Sequence, residues 1–69
     1  MENLKLGNKL KYFRMEQKLT QAELGELVGV TRKTINTVEN NVFVPSTLLA
    51  FKLAKALNSD VETVFYLYK

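Results

Sequence analysis

The sequence predicts an all-α fold of five short helices, and three observations carry that reading. Every long periodic stretch places apolar residues at i, i+3 or i+4 and i+7, the spacing of one helix face. A Thr, Ser or Asp suited to an N-cap precedes each of the four later segments. No stretch of useful length alternates apolar and polar residues as a half-buried strand does.

The helices follow in order. Leu6, Leu10 and Phe13 form the apolar stripe of the first, with lysines between them. Thr20 opens the second, and Glu23 three residues later completes a capping box. Leu24, Leu27 and Val28 are its apolar face, and Gly29 suits the left-handed residue that ends it. Thr31 opens the third, with Ile35 and Val38 spaced i, i+3 along it. Asn40–Val44 reads as a loop closed by Pro45. Ser46 caps a fourth helix to Leu57 with Leu49, Ala50, Leu53, Ala54 and Leu57 on one side, and Asp60 caps a short fifth through Val64 and Phe65. The apolar run Val64–Tyr68 also has the composition of a short terminal strand. With no repeat or linker, residues 1–69 read as a single domain.

Composition narrows the chemistry. The chain of 69 residues is 46% apolar and 25% charged, a globular balance. It has no Cys and no His, which removes disulfides, thiolate zinc sites, the commonest metal ligand and the commonest general base. Seven carboxylates without these partners make poor catalytic material, so an enzyme is not expected, and no cofactor or metal either. No apolar run approaches the roughly 20 residues that span a bilayer, and no signal peptide precedes the first amphipathic segment. The expectation is a soluble cytoplasmic protein, nucleoid-associated through DNA, with no membrane or small-molecule substrate. The net charge of +3 lies wholly in the first half. There Lys5, Lys9, Lys11, Arg14, Lys18, Arg32 and Lys33 outnumber Glu2, Glu16, Glu23 and Glu26, a bias compatible with a polyanion partner.

The second and third helices hold the functional information. Two helices joined by a short Gly-containing turn cross at about 90–120° and can lay the second in a DNA major groove. Gly25 sits inside the second helix at a cost of roughly 1 kcal/mol relative to Ala. That cost is accounted for if the neighbouring helix approaches too closely for a side chain. The run Thr20-Gln21-Ala22-Glu23-Leu24-Gly25-Glu26-Leu27-Val28-Gly29-Val30-Thr31-Arg32-Lys33-Thr34-Ile35-Asn36-Thr37-Val38-Glu39-Asn40 resembles the helix-turn-helix of the Cro and lambdoid-repressor (Xre) family. The likeness extends to Arg14 before it and to Pro45–Ala54 after it, and is greatest to the compact stand-alone members. It implies a five-helix lambda-repressor-like DNA-binding fold, with the motif at about residues 20–39.

The resemblance also implies roles. Thr31, Arg32, Lys33, Asn36 and Thr37 occupy the positions that reach base edges. A guanidinium at Arg32 can bond guanine O6 and N7 together, Asn36 suits adenine, and a Thr31 or Thr37 methyl suits thymine. Gln21 matches the residue that clamps a backbone phosphate, and Asn40 and Lys18 are further phosphate candidates. Arg14 and Glu39 match an interior ion pair with a structural role. The loop after Glu39 departs from the pattern. Family members often carry Gly and then a basic residue, whereas this chain has Asn41, Val42, Phe43 and Val44, with Phe43 expected on the core edge.

Leu48 and Phe51 fall outside the apolar side of the fourth helix, and Tyr66, Leu67 and Tyr68 add apolar surface at the chain end. These residues are the expected homodimer interface. A few base contacts of about 1–3 kcal/mol each are too few to select one operator, and two copies on a near-palindromic double-stranded site suffice. The expected function is a sequence-specific DNA-binding transcription regulator, a dimeric repressor in its simplest form. The alternative is a small helical interaction module or antitoxin-like partner with secondary DNA binding.

Overall fold

The computed structural model describes residues 1–69. The elements are β1 (Lys5–Asn8), α1 (Leu10–Glu16), α2 (Gln21–Val28), α3 (Arg32–Glu39), α4 (Thr47–Ala56), α5 (Val61–Val64) and β2 (Phe65–Tyr68). Each cap expected for the four later helices is made. Thr20 and Glu23 exchange hydrogen bonds of 3.0 and 2.8 Å as a capping box. Thr31, Ser46 and Asp60 side chains accept the N–H groups of Thr34, Leu49 and Thr63. The hydroxyl and N–H of Thr63, both donating to Asp60, hold that carboxyl below its ordinary value.

The first four helices end at a left-handed residue. Lys18, Asn41 and Asn58, after α1, α3 and α4, are left-handed (φ 57°, 60° and 55°). Each donates its N–H to a carbonyl three residues back, and the residue after it donates to one five back, closing a Schellman motif. Gly29, at φ 82°, ends α2 in the same conformation.

Eleven buried apolar residues form one core: Leu10, Leu24, Val28, Ile35, Val38, Leu49, Leu53, Ala54, Leu57, Val64 and Phe65. It draws on all five helices, and transferring such side chains from water supplies about 1.5–3 kcal/mol for each large one.

Three expectations are corrected. Leu6 does not extend the first helix: it lies in β1, and α1 begins at Leu10, where Asn8 Oδ1 accepts the Leu10 N–H at 3.0 Å. The fifth helix does not run through Phe65: it stops at Val64, and the terminal strand that Val64–Tyr68 offered forms over Phe65–Tyr68, antiparallel to β1 with Lys5 opposite Tyr68 and Asn8 opposite Phe65. Helical spacing misled because Leu6 pairs with Leu67 across a sheet too short to show alternation. Leu27 is not part of the core: it is 62% exposed at the end of α2, beside Phe51 of α4.

Candidate nucleic-acid interface

The turn between α2 and α3 is folded flat against α2. The N–H groups of Gly29 and Val30 both donate to the Gly25 carbonyl, at 2.8 and 2.9 Å. A Cβ on Gly25 would lie 2.7 Å from the Val30 carbonyl oxygen and 3.2 Å from Thr31 backbone atoms. The close approach expected at Gly25 is real, but the backbone of the turn at Val30 and Thr31 makes it, rather than the neighbouring helix itself. Removing that Cβ lets Thr31 start α3 directly against α2.

On α3, Ile35 and Val38 are fully buried and fix its rotation. At 100° per residue, Lys33 then stands nearly opposite the core, flanked by Asn36 and Thr37, with Arg32 to one side in the first turn. Arg32, Lys33 and Asn36 are exposed, and Thr37 is half-buried. The sole carboxylate of α3, Glu39, is turned away, its side chain 3% exposed. The outward face thus carries two cations and no anion, against the positive end of its own helix dipole. An incoming phosphate or base acceptor relieves that unfavourable arrangement.

Hydroxyls on this face are already committed. Thr31 Oγ1 accepts the Thr34 N–H at 3.2 Å, and Thr37 Oγ1 donates to the Thr34 carbonyl at 2.9 Å. Besides the methyl groups of both, Thr37 keeps only acceptor capacity for a ligand. Asn40 Nδ2 donates to the Asn36 carbonyl at 3.0 Å, folding its side chain over the end of α3. Lys18 is exposed in its left-handed turn.

Arg14 and Glu39 meet in the interior. Arg14 Nε donates to Glu39 Oε2 at 2.6 Å, Nη2 to Oε1 at 3.3 Å, and Nη1 to the Leu19 carbonyl at 2.8 Å. Gln21 Nε2 donates to the same Oε1 at 3.0 Å. The residue matched to a phosphate clamp is therefore also a strut between the start of α2 and the end of α3. Arg14 is the only one of the ten Lys and Arg side chains held in an ion pair.

Two features of the site were not expected. Asn8 Nδ2 donates to the Val38 carbonyl at 2.9 Å and to Asn41 Oδ1 at 3.0 Å, tying β1 to the end of α3. The partners are distant in sequence, and no local pattern announces such a tie. Phe43 does not pack on the core edge: it is 46% exposed, and with Lys33, Thr34, Thr37 and Val42 it lines an open groove of about 310 Å³. Val42 and Phe43 are held there by N–H bonds to the Thr37 carbonyl, which keep the ring beside α3 rather than over the core. Elsewhere, Leu48, Phe51, Tyr66, Leu67 and Tyr68 are all exposed, on α4 and β2.

Known proteins match this arrangement. The helix-turn-helix family model covers residues 10–64. An uncharacterized HTH-type transcriptional regulator of Bacillus subtilis, YgzD, is 47% identical over 62 residues, spanning 90% of this chain and 94% of that protein. Another from Methanocaldococcus jannaschii is 45% identical over 60 residues, 87% of this chain and 91% of its own length. Among solved structures, the clp gene regulator ClgR from Corynebacterium glutamicum is similar with a TM-score of 0.73 and 27% identity. That likeness covers 75% of this chain, which spans 55% of the ClgR chain. Extending over most of its sequence, these matches make the chain a member of the Xre-like helix-turn-helix family, a DNA-binding transcriptional regulator and not an enzyme.

Proposed function

We propose that the chain is a dimeric repressor that occupies a near-palindromic operator in the cytoplasm and excludes polymerase from it. The observation that carries this reading is the outward face of α3, where Arg32, Lys33 and Asn36 are exposed while Glu39 is locked inward. Arg32 reads a guanine, Lys33 and Asn36 read neighbouring bases, and the methyls of Thr31 and Thr37 meet apolar base edges. Gln21 has one amide hydrogen left for a phosphate after its bond to Glu39, and Asn40 and Lys18 supply further phosphate contacts. Leu48 and Phe51 on α4, with Tyr66, Leu67 and Tyr68 on β2, join two copies so that half-sites lie about 34 Å apart.

Selection of bound duplexes from a random DNA pool tests the reading. The expected product is a two-fold symmetric motif. Arg32→Ala is expected to relax one base pair in each half-site while leaving the melting midpoint unchanged. A selected motif unaltered by both Arg32→Ala and Lys33→Ala rejects α3 as the reading helix.

One observation favours a second reading. Leu27, Val28, Phe51, Lys52, Lys55 and Ala56 line a groove of about 550 Å³ between α2 and α4, on elements that an interaction module would use. Duplex binding that is weak and indifferent to salt would favour that module.

A further inference from the structure

The loop after α3 is apolar where a DNA-facing loop is expected to be basic. Between Asn40 and Pro45 there is no Lys or Arg. Its backbone is also occupied: the N–H groups of Val42 and Phe43 both donate to the Thr37 carbonyl, at 2.9 and 3.2 Å. At these two residues the loop has neither a cation nor a free backbone donor for a phosphate. What it exposes is hydrocarbon, Val42 at 77% and Phe43 at 46%.

That hydrocarbon is aimed at the reading face. The left-handed Asn41 turns the chain back along α3, and Asn8 holds the turn through Asn41 Oδ1. Val42 and Phe43 then form one wall of the groove, and Lys33, Thr34 and Thr37 the other. The Thr37 hydroxyl spends its one proton on the Thr34 carbonyl, so it has no hydrogen to give a ligand, and Thr37 also carries a methyl group. One cation and no carboxylate line the groove, so its charge suits a nucleic acid. The major groove presents a single apolar group on its base edges, the 5-methyl of thymine.

We propose that Val42 and Phe43 form, with Thr37, a subsite for a thymine methyl, replacing the loop's missing phosphate contact with a specificity contact. The inference rests on α3 being the reading helix. Its occupant is double-stranded DNA with thymine at the position under the loop.

Deoxyuridine, which lacks only the methyl, is the probe. In the duplex selected from the random pool, each thymine is replaced in turn and binding is measured for the wild type and for Val42→Ala with Phe43→Ala. Burying one methyl corresponds to about a fourfold change in affinity. The wild type is expected to lose about that factor at one or more positions per half-site, and the double variant to bind both duplexes alike at one of them. Equal wild-type binding at every replaced position overturns the subsite. So does discrimination that survives intact in the double variant, which puts the methyl against α3 alone. Val42→Ala by itself, at an open position, serves as the variant if the double substitution lowers the melting midpoint. Failure of the α3 reading is seen separately, as a selected motif that Arg32→Ala and Lys33→Ala leave unaltered.

Discussion

Glu39 shows how one side chain fixes the geometry of α3. Its two oxygens take three hydrogen bonds, two from Arg14 and one from Gln21, so α1, α2 and α3 meet at a single carboxylate. Removing one partner of such a buried pair costs about 3–5 kcal/mol, because the other charge stays behind without compensation. In a domain of this size that is comparable to the low end of total stability. Glu39→Ala is expected to lower the melting midpoint by more than about 10 °C and to lose DNA binding through unfolding. A thermal melt with an unchanged midpoint would reject this structural role. Arg14 and Glu39 were readable from the resemblance because both positions belong to its pattern. The strut made by Gln21 was not, since an amide that can serve a phosphate can equally serve a carboxylate.

The helix-turn-helix depends on Gly25 as much as on its two helices. Alanine there would gain roughly 1 kcal/mol of helix propensity. Its Cβ would also meet the Val30 carbonyl oxygen at 2.7 Å, a contact with backbone that cannot swing aside. Overpacking of this kind costs about 1–3 kcal/mol, so Gly25→Ala is expected to destabilise the protein in spite of the better propensity. A raised midpoint in a thermal melt would mean that the turn yields. The four later helices were legible because their caps are local chemistry: Thr20 with Glu23, then Thr31, Ser46 and Asp60, mark starts that the structure reproduces. β1 was not legible, because four residues pairing with the far end of the chain carry no period of their own. Leu27 was misread for a related reason. Helical spacing gives the direction of a side chain, and whether another element covers it depends on the tertiary arrangement.

In the intact molecule, the exposed apolar residues of α4 and β2 bear on assembly. Sedimentation at micromolar concentration is expected to find a dimer, and Leu67→Glu, at a position 60% exposed, to yield a folded monomer with weakened operator binding. A wild-type monomer that stays monomeric when operator is added would refute the dimer. Affinity for that operator is expected to fall with salt at a logarithmic slope of about −0.9 per phosphate neutralised. The tie from Asn8 to Val38 and Asn41 has a consequence for how the protein matures. The hairpinless sheet that carries Asn8 joins the two extremities of the sequence, and loop-closure entropy makes so remote a pairing slow to nucleate. The strands are therefore expected to pair after the helices form, and refolding in which Leu6 and Leu67 amides gain protection together with those of the helices would reject that order. On that order the far end of α3 would receive its last anchor, from Asn8, after its helical content is complete, and recovery of operator binding is expected to trail the return of the helical signal on refolding.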